Sequence, residues 1–269
     1  MRTPANKVRP KKFLGQHFLH DQNIAKRIVD SLVVGEGCQQ VLEIGPGMGV
    51  LTRYLAAIPG IDLRLIEIDR DSVQYLHEHY PALSDRIHEG DFLEINIQEL
   101  FTGHFSIIGN FPYNISSQIF FKVLEHRDTV DQVVCMLQKE VADRIAAPHG
   151  NKTYGILSVL LQAFYTVQSL FKVSPGVFTP PPQVMSAVIR LTRNSTQKLA
   201  CDESLFVTVV KQGFNNRRKT LRNALKNLIL PAEISALSLL DKRAEQLTVE
   251  EFIHLTQLIG DSRGGKKDT

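Results

Sequence analysis

Short, nearly unbroken apolar runs punctuate the first three quarters of the chain. The clearest are Val41-Leu42-Glu43-Ile44, Leu63-Arg64-Leu65-Ile66, Phe105-Ser106-Ile107-Ile108 and Val133-Val134-Cys135-Met136-Leu137. Runs of this length, lacking a polar alternate face, are the pattern of strands buried on both sides of a parallel sheet. A further strand is expected over 86–93, ending in Gly90-Asp91, and two closing strands over 164–173 and 184–191, the last antiparallel. Amphipathic segments fill the gaps. Asp21 is placed to N-cap a helix over 22–32, with Ile24, Ile28, Val29 and Leu32 on one face. Helices are also expected over 50–57, 70–80, 116–125 with Ser116 as cap, 138–145 and 155–162. The stretch 13–21 is too short and mixed to form an element; Phe13, Phe18 and Leu19 are expected to pack it onto the body. After a polar linker near 192–201 the pattern becomes helical throughout. Leu221, Leu225 and Leu228 would line one face of a helix and Arg218, Arg222 and Lys226 another. Thr248 would cap a last helix carrying Phe252, Leu255 and Leu258, and the tail after Gly260 reads as disordered. The expected organisation is a basic arm over 1–12, an α/β domain over 13–194 with a seven-stranded, mostly parallel sheet, and a small all-helical domain over 195–269.

Composition adds little until charge is mapped. The 269 residues are 43% hydrophobic and 22% charged, ordinary for a globular chain with ample core. No apolar run reaches the length of a membrane span, and the start lacks a signal-peptide core. Cys38, Cys135 and Cys201 fit neither a disulfide framework nor a zinc site. A cytoplasmic monomer without metal is expected. The net charge of +3 hides two acid-free basic segments. One is 1–12, with Arg2, Lys7, Arg9, Lys11 and Lys12. The other is 211–226, with Lys211, Arg217, Arg218, Lys219, Arg222 and Lys226. The remainder is net acidic, so positive charge is concentrated where a polyanion would bind.

Chemistry-bearing residues gather at predicted strand ends. Gly45-Pro46-Gly47-Met48-Gly49 follows the first strand as a G-x-G-x-G turn, Glu67 ends the second, and Asp91 ends the third. The turn opens a nucleotide-binding βαβ unit, and an acid after the second strand is where a ribose is held. The chain has no G-x-x-x-x-G-K-[ST] and no lysine in the first turn, so phosphate handling is missing. S-adenosylmethionine needs none. It needs close backbone approach for its methionine tail, a carboxylate for the ribose and an acceptor for the adenine amine. Gly45 to Gly49, Glu67 and Asp91 supply these in order. The fourth strand ends in Asn110-Phe111-Pro112-Tyr113. Asn110 offers an amide acceptor, Pro112 presets the carbonyls around it, and Tyr113 offers a flat face. With Phe178, held by the Pro180-Pro181-Pro182 run, Tyr113 could sandwich a planar base carrying an exocyclic amine. A base inside a duplex cannot reach such a pocket, so single-stranded or flipped-out nucleic acid is implied.

The segments KKFLGQHFLHDQNI, VLEIGPGMG, IEIDRD, EGDFL, GNFPYNIS, MLQKEVADRI, FTPPPQVMSAV and GFNNRRKTLRNAL together resemble the bacterial small-subunit rRNA adenine dimethyltransferase family. The likeness runs from about Lys11 to Leu258. It implies a Rossmann-like class I S-adenosylmethionine-dependent methyltransferase domain with a helical C-terminal domain. It also implies dimethylation of two adjacent adenosines in a hairpin loop near the 3′ end of 16S rRNA, in the 30S particle during subunit biogenesis. Carried over by motif, the cofactor contacts are His17, Leu19, Gly45, Gly47, Glu67, Asp91, Phe92 and Asn110. The target base would meet Asn110, Phe111, Pro112, Tyr113 and Phe178, and RNA would meet Lys11, Lys12, Arg217, Arg218, Lys219, Arg222 and Lys226. The family commonly has Asn where His17 stands and Leu where Phe111 stands. Other readings are an assembly checkpoint whose binding rather than methylation matters, a large-subunit rRNA methylase and a DNA adenine methylase. The GFNNRRKTLRNAL segment and Phe111 respectively disfavour the last two.

Overall fold

A computed structural model describes residues 8–33 and 40–264; Arg2, Lys7, Cys38 and residues 265–269 lie outside the described residues. The chain runs through β1 (Phe18–Leu19), α1 (Gln22–Asp30), β2 (Gln40–Ile44), α2 (Thr52–Leu55), β3 (Asp62–Glu67), α3 (Arg70–His79) and β4 (Ile87–Glu89). It continues with β5 (Phe105–Asn110), α4 (Ser116–Glu125), β6 (Val130–Gln138), α5 (Lys139–Ala146), α6 (Ile156–Gln162), β7 (Tyr165–Val173), β8 (Phe178–Thr179) and β9 (Ser186–Arg193). α7 (Glu203–Asn215), α8 (Leu221–Ala224), α9 (Ala232–Ser235) and α10 (Val249–Gly264) complete it, with short 3-10 turns between. The chain divides into two compact units, residues 1–142 with 168–193, and residues 143–167 with 194–269. The composition change near 195 lies beside one of these crossings. Residues 143–167 belong to the C-terminal unit, where α6 packs against α7.

The first unit is built on a seven-stranded sheet of order β4-β3-β2-β5-β6-β9-β7. Neighbours from β4 to β6 run parallel and β9 runs antiparallel to β6. The apolar runs explain the placement: Leu42, Leu65, Ile107, Ile108, Val133, Val134 and Met136 are fully buried. The chain leaves β2 toward β3 and β4, then returns to the other side of β2 as β5. That reversal opens a crevice at the carboxyl ends of β2 and β5. Gly109 allows the two strands to meet there, since a Cβ would lie 2.5 Å from the Ile44 carbonyl oxygen and 3.1 Å from the Phe111 ring. Asp21 caps α1 as expected, accepting the Asn23 and Ile24 N–H groups at 2.9 and 3.0 Å.

Several local expectations are corrected. Residues 13–21 are ordered: a 3-10 turn covers Lys12–Leu14, and β1 pairs antiparallel with β8 through Phe18↔Thr179 and Leu19↔Phe178. Phe13 does not pack onto the body and stays 78% exposed. α2 is one turn long, and β4 stops at Glu89, so Asp91 sits in the turn that follows. Ser116 is the first residue of α4 rather than its cap; its hydroxyl donates to the Tyr113 carbonyl at 3.3 Å.

In the second unit the expected basic helix is broken. α7 ends at Asn215, α8 covers only Leu221–Ala224, and Lys226 begins a separate 3-10 turn. Arg218 therefore shares no helical face with Arg222 and Lys226. Leu221 and Leu225 are still fully buried. Thr248 and Glu251 form a reciprocal cap at the start of α10, whose buried stripe is Phe252, Leu255, Thr256 and Ile259 rather than Leu258. α10 continues past Gly260 to Gly264. Among the described residues no helix is long and apolar enough to cross a membrane, and no group of three or more His, Cys, Asp or Glu could hold a metal ion.

Candidate active site

Four strand ends meet at one rim. The Gly45 N–H donates to the Ile66 carbonyl and the Gly90 N–H to the Glu67 carbonyl, both at 2.9 Å, which levels β2, β3 and β4. β5 adds Asn110 opposite Met136 of β6. Between them lies a cavity of about 220 Å³ lined by residues that include Gln16, His17, Gly45, Gly47, Glu67, Gly90, Asp91, Phe92 and Asn110 to Ile115. Gly45 has φ +65°, and a Cβ added there or at Gly90 would meet nothing within 4 Å. The space a side chain would fill is left for a ligand.

Glu67 is buried and fixed at both oxygens. Oε2 accepts the Gly47 N–H and Oε1 the Asp69 N–H, each at 2.9 Å. Burial raises its carboxyl above the ordinary value, against these two donors and that of Ile68, which lower it. Asp91 is half-buried, and its Oδ1 accepts the Leu93 N–H at 2.8 Å. Among the described residues no lysine or arginine lines the cavity, while two carboxylates do. That polarity repels phosphate and suits a neutral or cationic adenosyl ligand. The lining fits S-adenosylmethionine.

A wider groove of about 520 Å³ adjoins this cavity and shares Gly15, Gln16, His17 and Tyr113 with it. Lys12, Gln138 and residues 180–184 form its other walls. Asn110 lines the first cavity near that shared boundary, and its orientation is fixed: Nδ2 donates to the His17 carbonyl at 2.9 Å. A carbonyl can only accept, so the amide nitrogen faces His17 and Oδ1 turns the other way as an acceptor. Phe111 is buried, its ring edge-on to Phe120 at 6.0 Å and its N–H bonded to the Met136 carbonyl at 2.9 Å. The Tyr113 hydroxyl meets Ser186 Oγ at 2.5 Å, and burial raises its phenol pKa, keeping it neutral.

Phe178 is a core residue rather than an exposed ring. It is 3% exposed and packs in the core cluster that holds Leu19, Val173 and Val188. The β1–β8 pairing causes this, turning Phe178 inward and Thr179 outward. Leu19, inward on the facing strand, is likewise core. The ring beside Tyr113 is His17, at 5.4 Å between centroids and tilted by 31°. His17 Nδ1 lies 2.8 Å from the Pro180 carbonyl and so carries the proton there.

The basic residues divide in two. Lys11 is not a free cation: its ammonium pairs with Asp69 and, at 2.8 Å, with Asp71. Arg217 donates to the Lys152 carbonyl at 2.7 Å and to that of Tyr154, and Arg222 binds Asp241 Oδ1 through Nε and Nη2 at 2.9 and 2.7 Å. These three brace their own surroundings. Lys12, Arg218, Lys219 and Lys226 are exposed. Sequence reasoning missed Gln16, which donates to Asp69 at 3.1 Å and accepts the Lys11 N–H at 2.7 Å. It also missed Asn114, which lines the cavity and lies 2.7 Å from where a Gly15 Cβ would sit. The repeated Asn in Asn110-Phe111-Pro112-Tyr113-Asn114 was the available signal.

Residues 7–261 match the ribosomal RNA adenine dimethylase family. The chain belongs to the ribosomal RNA adenine dimethylase family. It is a methyltransferase of rRNA adenine, with the Rossmann-like fold of that enzyme class. Among its relatives, the ribosomal RNA small subunit methyltransferase A of Cytophaga hutchinsonii is 54% identical over 253 residues, 94% of this chain and 98% of the relative. The protein of the same name from Flavobacterium johnsoniae is 56% identical over 254 residues, 94% of this chain and 97% of the relative. A dimethyladenosine transferase from Plasmodium falciparum shares the fold with a TM-score of 0.74 at 24% identity, covering 89% of this chain and 96% of that one. The 23S rRNA methyltransferase ErmE aligns with a TM-score of 0.66 at 24% identity, covering 89% and 99%.

Proposed function

We propose that this enzyme uses S-adenosylmethionine to dimethylate the exocyclic amines of two adjacent adenosines, in a hairpin loop near the 3′ end of 16S rRNA within the 30S particle. The reaction would serve small-subunit biogenesis. The observation that carries the reading is the Asn110 amide, pinned by the His17 carbonyl so that its acceptor oxygen is presented beside the meeting of cavity and groove.

The cofactor, when bound, supplies an electrophilic sulfonium methyl. Glu67 would hold the ribose hydroxyls, Asp91 would accept the adenine amine with Phe92 beside it, and the Gly45 to Gly47 backbone would approach the methionine end. Where cavity and groove meet, the target amine would donate to Asn110 Oδ1 and to the Phe111 or Pro112 carbonyl. An adenine amine is a poor nucleophile because its lone pair is delocalised into the ring. Two acceptors that hold it pyramidal return that lone pair to nitrogen, and placement then carries the catalysis. Tyr113 would stack on the base, worth roughly 1–3 kcal/mol. Lys12 beside the groove, with Arg218, Lys219 and Lys226, would meet phosphates.

The test is methylation of undermethylated small subunits with labelled cofactor, followed by mapping of the modified bases. Label confined to two neighbouring adenosines of the small-subunit RNA is expected, with Asn110→Ala slower by at least about 100-fold, the scale for losing one preorganised polar group at a reacting centre. Label in large-subunit RNA, or an Asn110→Ala rate near wild type, refutes the reading.

A further inference from the structure

α4 starts after the Asn110 to Tyr113 turn, and its buried face is apolar except at Ser116, its first residue, and at Lys122. Lys122 lies on that face between Phe120 and Val123 and is only 9% exposed. Its ammonium donates to three backbone carbonyls of one turn: Phe92 at 2.7 Å, Leu93 at 3.0 Å and Ile95 at 2.5 Å. An ammonium has three donors, so all are used. Desolvation draws its pKa below the ordinary lysine value, with Glu125 and Asp91 opposing.

The turn held in this way is the one that carries Asp91. The Asp91 carbonyl accepts the Glu94 and Ile95 N–H groups at 3.0 Å, winding 91–95 into a single helical turn. Its side-chain Oδ1 accepts the Leu93 N–H at 2.8 Å. A continuous path thus runs from Lys122 Nζ through the Leu93 peptide to the Asp91 carboxylate. With Oδ1 engaged, Oδ2 is the oxygen left for a ligand in the cavity that Asp91 and Phe92 both line. Three carbonyls converging on an apolar helix face would lack partners without a cation there, because backbone acceptors left unpaired away from water are costly. Without Lys122 the turn would unwind toward water, and Asp91 would lose its setting.

We propose that Lys122 is a positioning residue for the adenine end of the cofactor: it fixes the 91–95 turn so that Asp91 reads the adenine 6-amino group. This rests on the reading of Asp91 given above. It also couples the two halves of the site, since the helix that bears Lys122 begins at the turn that holds the acceptor base.

The experiment is calorimetric binding of S-adenosylhomocysteine and of its analogue lacking the 6-amino group, to wild type, Lys122→Met and Lys122→Arg. A merely structural lysine would weaken both ligands alike; a positioning one changes their ratio. Wild type should prefer the amino ligand by roughly tenfold or more, the scale of one hydrogen bond to a charged acceptor. Lys122→Met should bring the ratio within about threefold, and Lys122→Arg, which keeps a cation for the same carbonyls, should recover much of it. Lys122→Gln is measured alongside, so that a poorly folding Met variant still leaves a comparison. A wild-type ratio that persists in the Met and Gln variants overturns the role of Lys122 alone. A wild-type ratio near one overturns the Asp91 reading and the proposal with it.

Discussion

Glu43 sits in the middle of the chemistry yet touches none of the proposed ligand contacts. It is 1% exposed on β2, two residues before Gly45, and its Oε2 accepts the Thr52 hydroxyl at 2.7 Å. Burial pushes its carboxyl from 4.5 up to about 8, with the neighbouring Glu67 adding to the rise and the Thr52 bonds opposing it. The folded state therefore holds this proton more tightly than the unfolded chain does. The stability it contributes is complete below about 4.5 and is lost as pH climbs through about 8. At about 1.4 kcal/mol per tenfold change in proton affinity, that window corresponds to about 5 kcal/mol as an upper bound. Glu43→Gln keeps the shape and an acceptor for Thr52 but cannot ionise. Unfolding of both proteins, followed at pH 5, 7 and 9 without ligand, isolates the effect because the other groups titrate similarly in each. The variant should gain roughly 2–4 kcal/mol on wild type between pH 5 and pH 9, which is roughly 4–16 °C in melting temperature for a chain of this size. A stability difference that stays flat across this range would refute the reasoning, since it would mean that Glu43 is already ionised in the fold.

Tyr113 and Phe178 should separate cleanly. Tyr113→Ala should slow methylation roughly 5–150-fold, the value of one stacked base. Phe178→Ala should cost about 3–5 kcal/mol of stability as a core truncation; a stable variant with lost activity would return Phe178 to the base site. Glu67→Ala should weaken calorimetric binding of S-adenosylhomocysteine at least about tenfold, the scale of hydrogen bonds to a charged group, and unchanged binding would sink the ribose assignment. Replacing Arg218, Lys219 and Lys226 by Ala should reduce the slope of log affinity against log salt for RNA by about 0.7–0.9 for each phosphate no longer neutralised. Arg222→Ala should instead lower melting temperature, and a salt slope changed by Arg222→Ala alone would contradict its bracing role.

What was legible in the chain is what short-range physics decides. Apolar runs such as Val133 to Leu137 specify buried strands wherever they lie, so the sheet and its alternating helices could be read from pattern. Glycines and acids directly after such runs fall at the sheet's carboxyl edge by chain connectivity alone. That is why Gly45, Glu67 and Asn110 could be placed at the rim of the cavity they line, and why Asp91 could be too even though β4 proved shorter than its pattern suggested. Tertiary structure decided the direction each side chain takes once two distant segments meet. Phe178 looked free until the pairing of 18–19 with 178–179 turned it into the core. Lys11, Arg217 and Arg222 looked like RNA contacts until Asp69, the 152–154 carbonyls and Asp241 took them up. The Lys122 ammonium found its carbonyls across 27 to 30 residues of chain. A sequence gives the valence of a charged or aromatic group; its partner is set by long-range packing, which only the fold supplies.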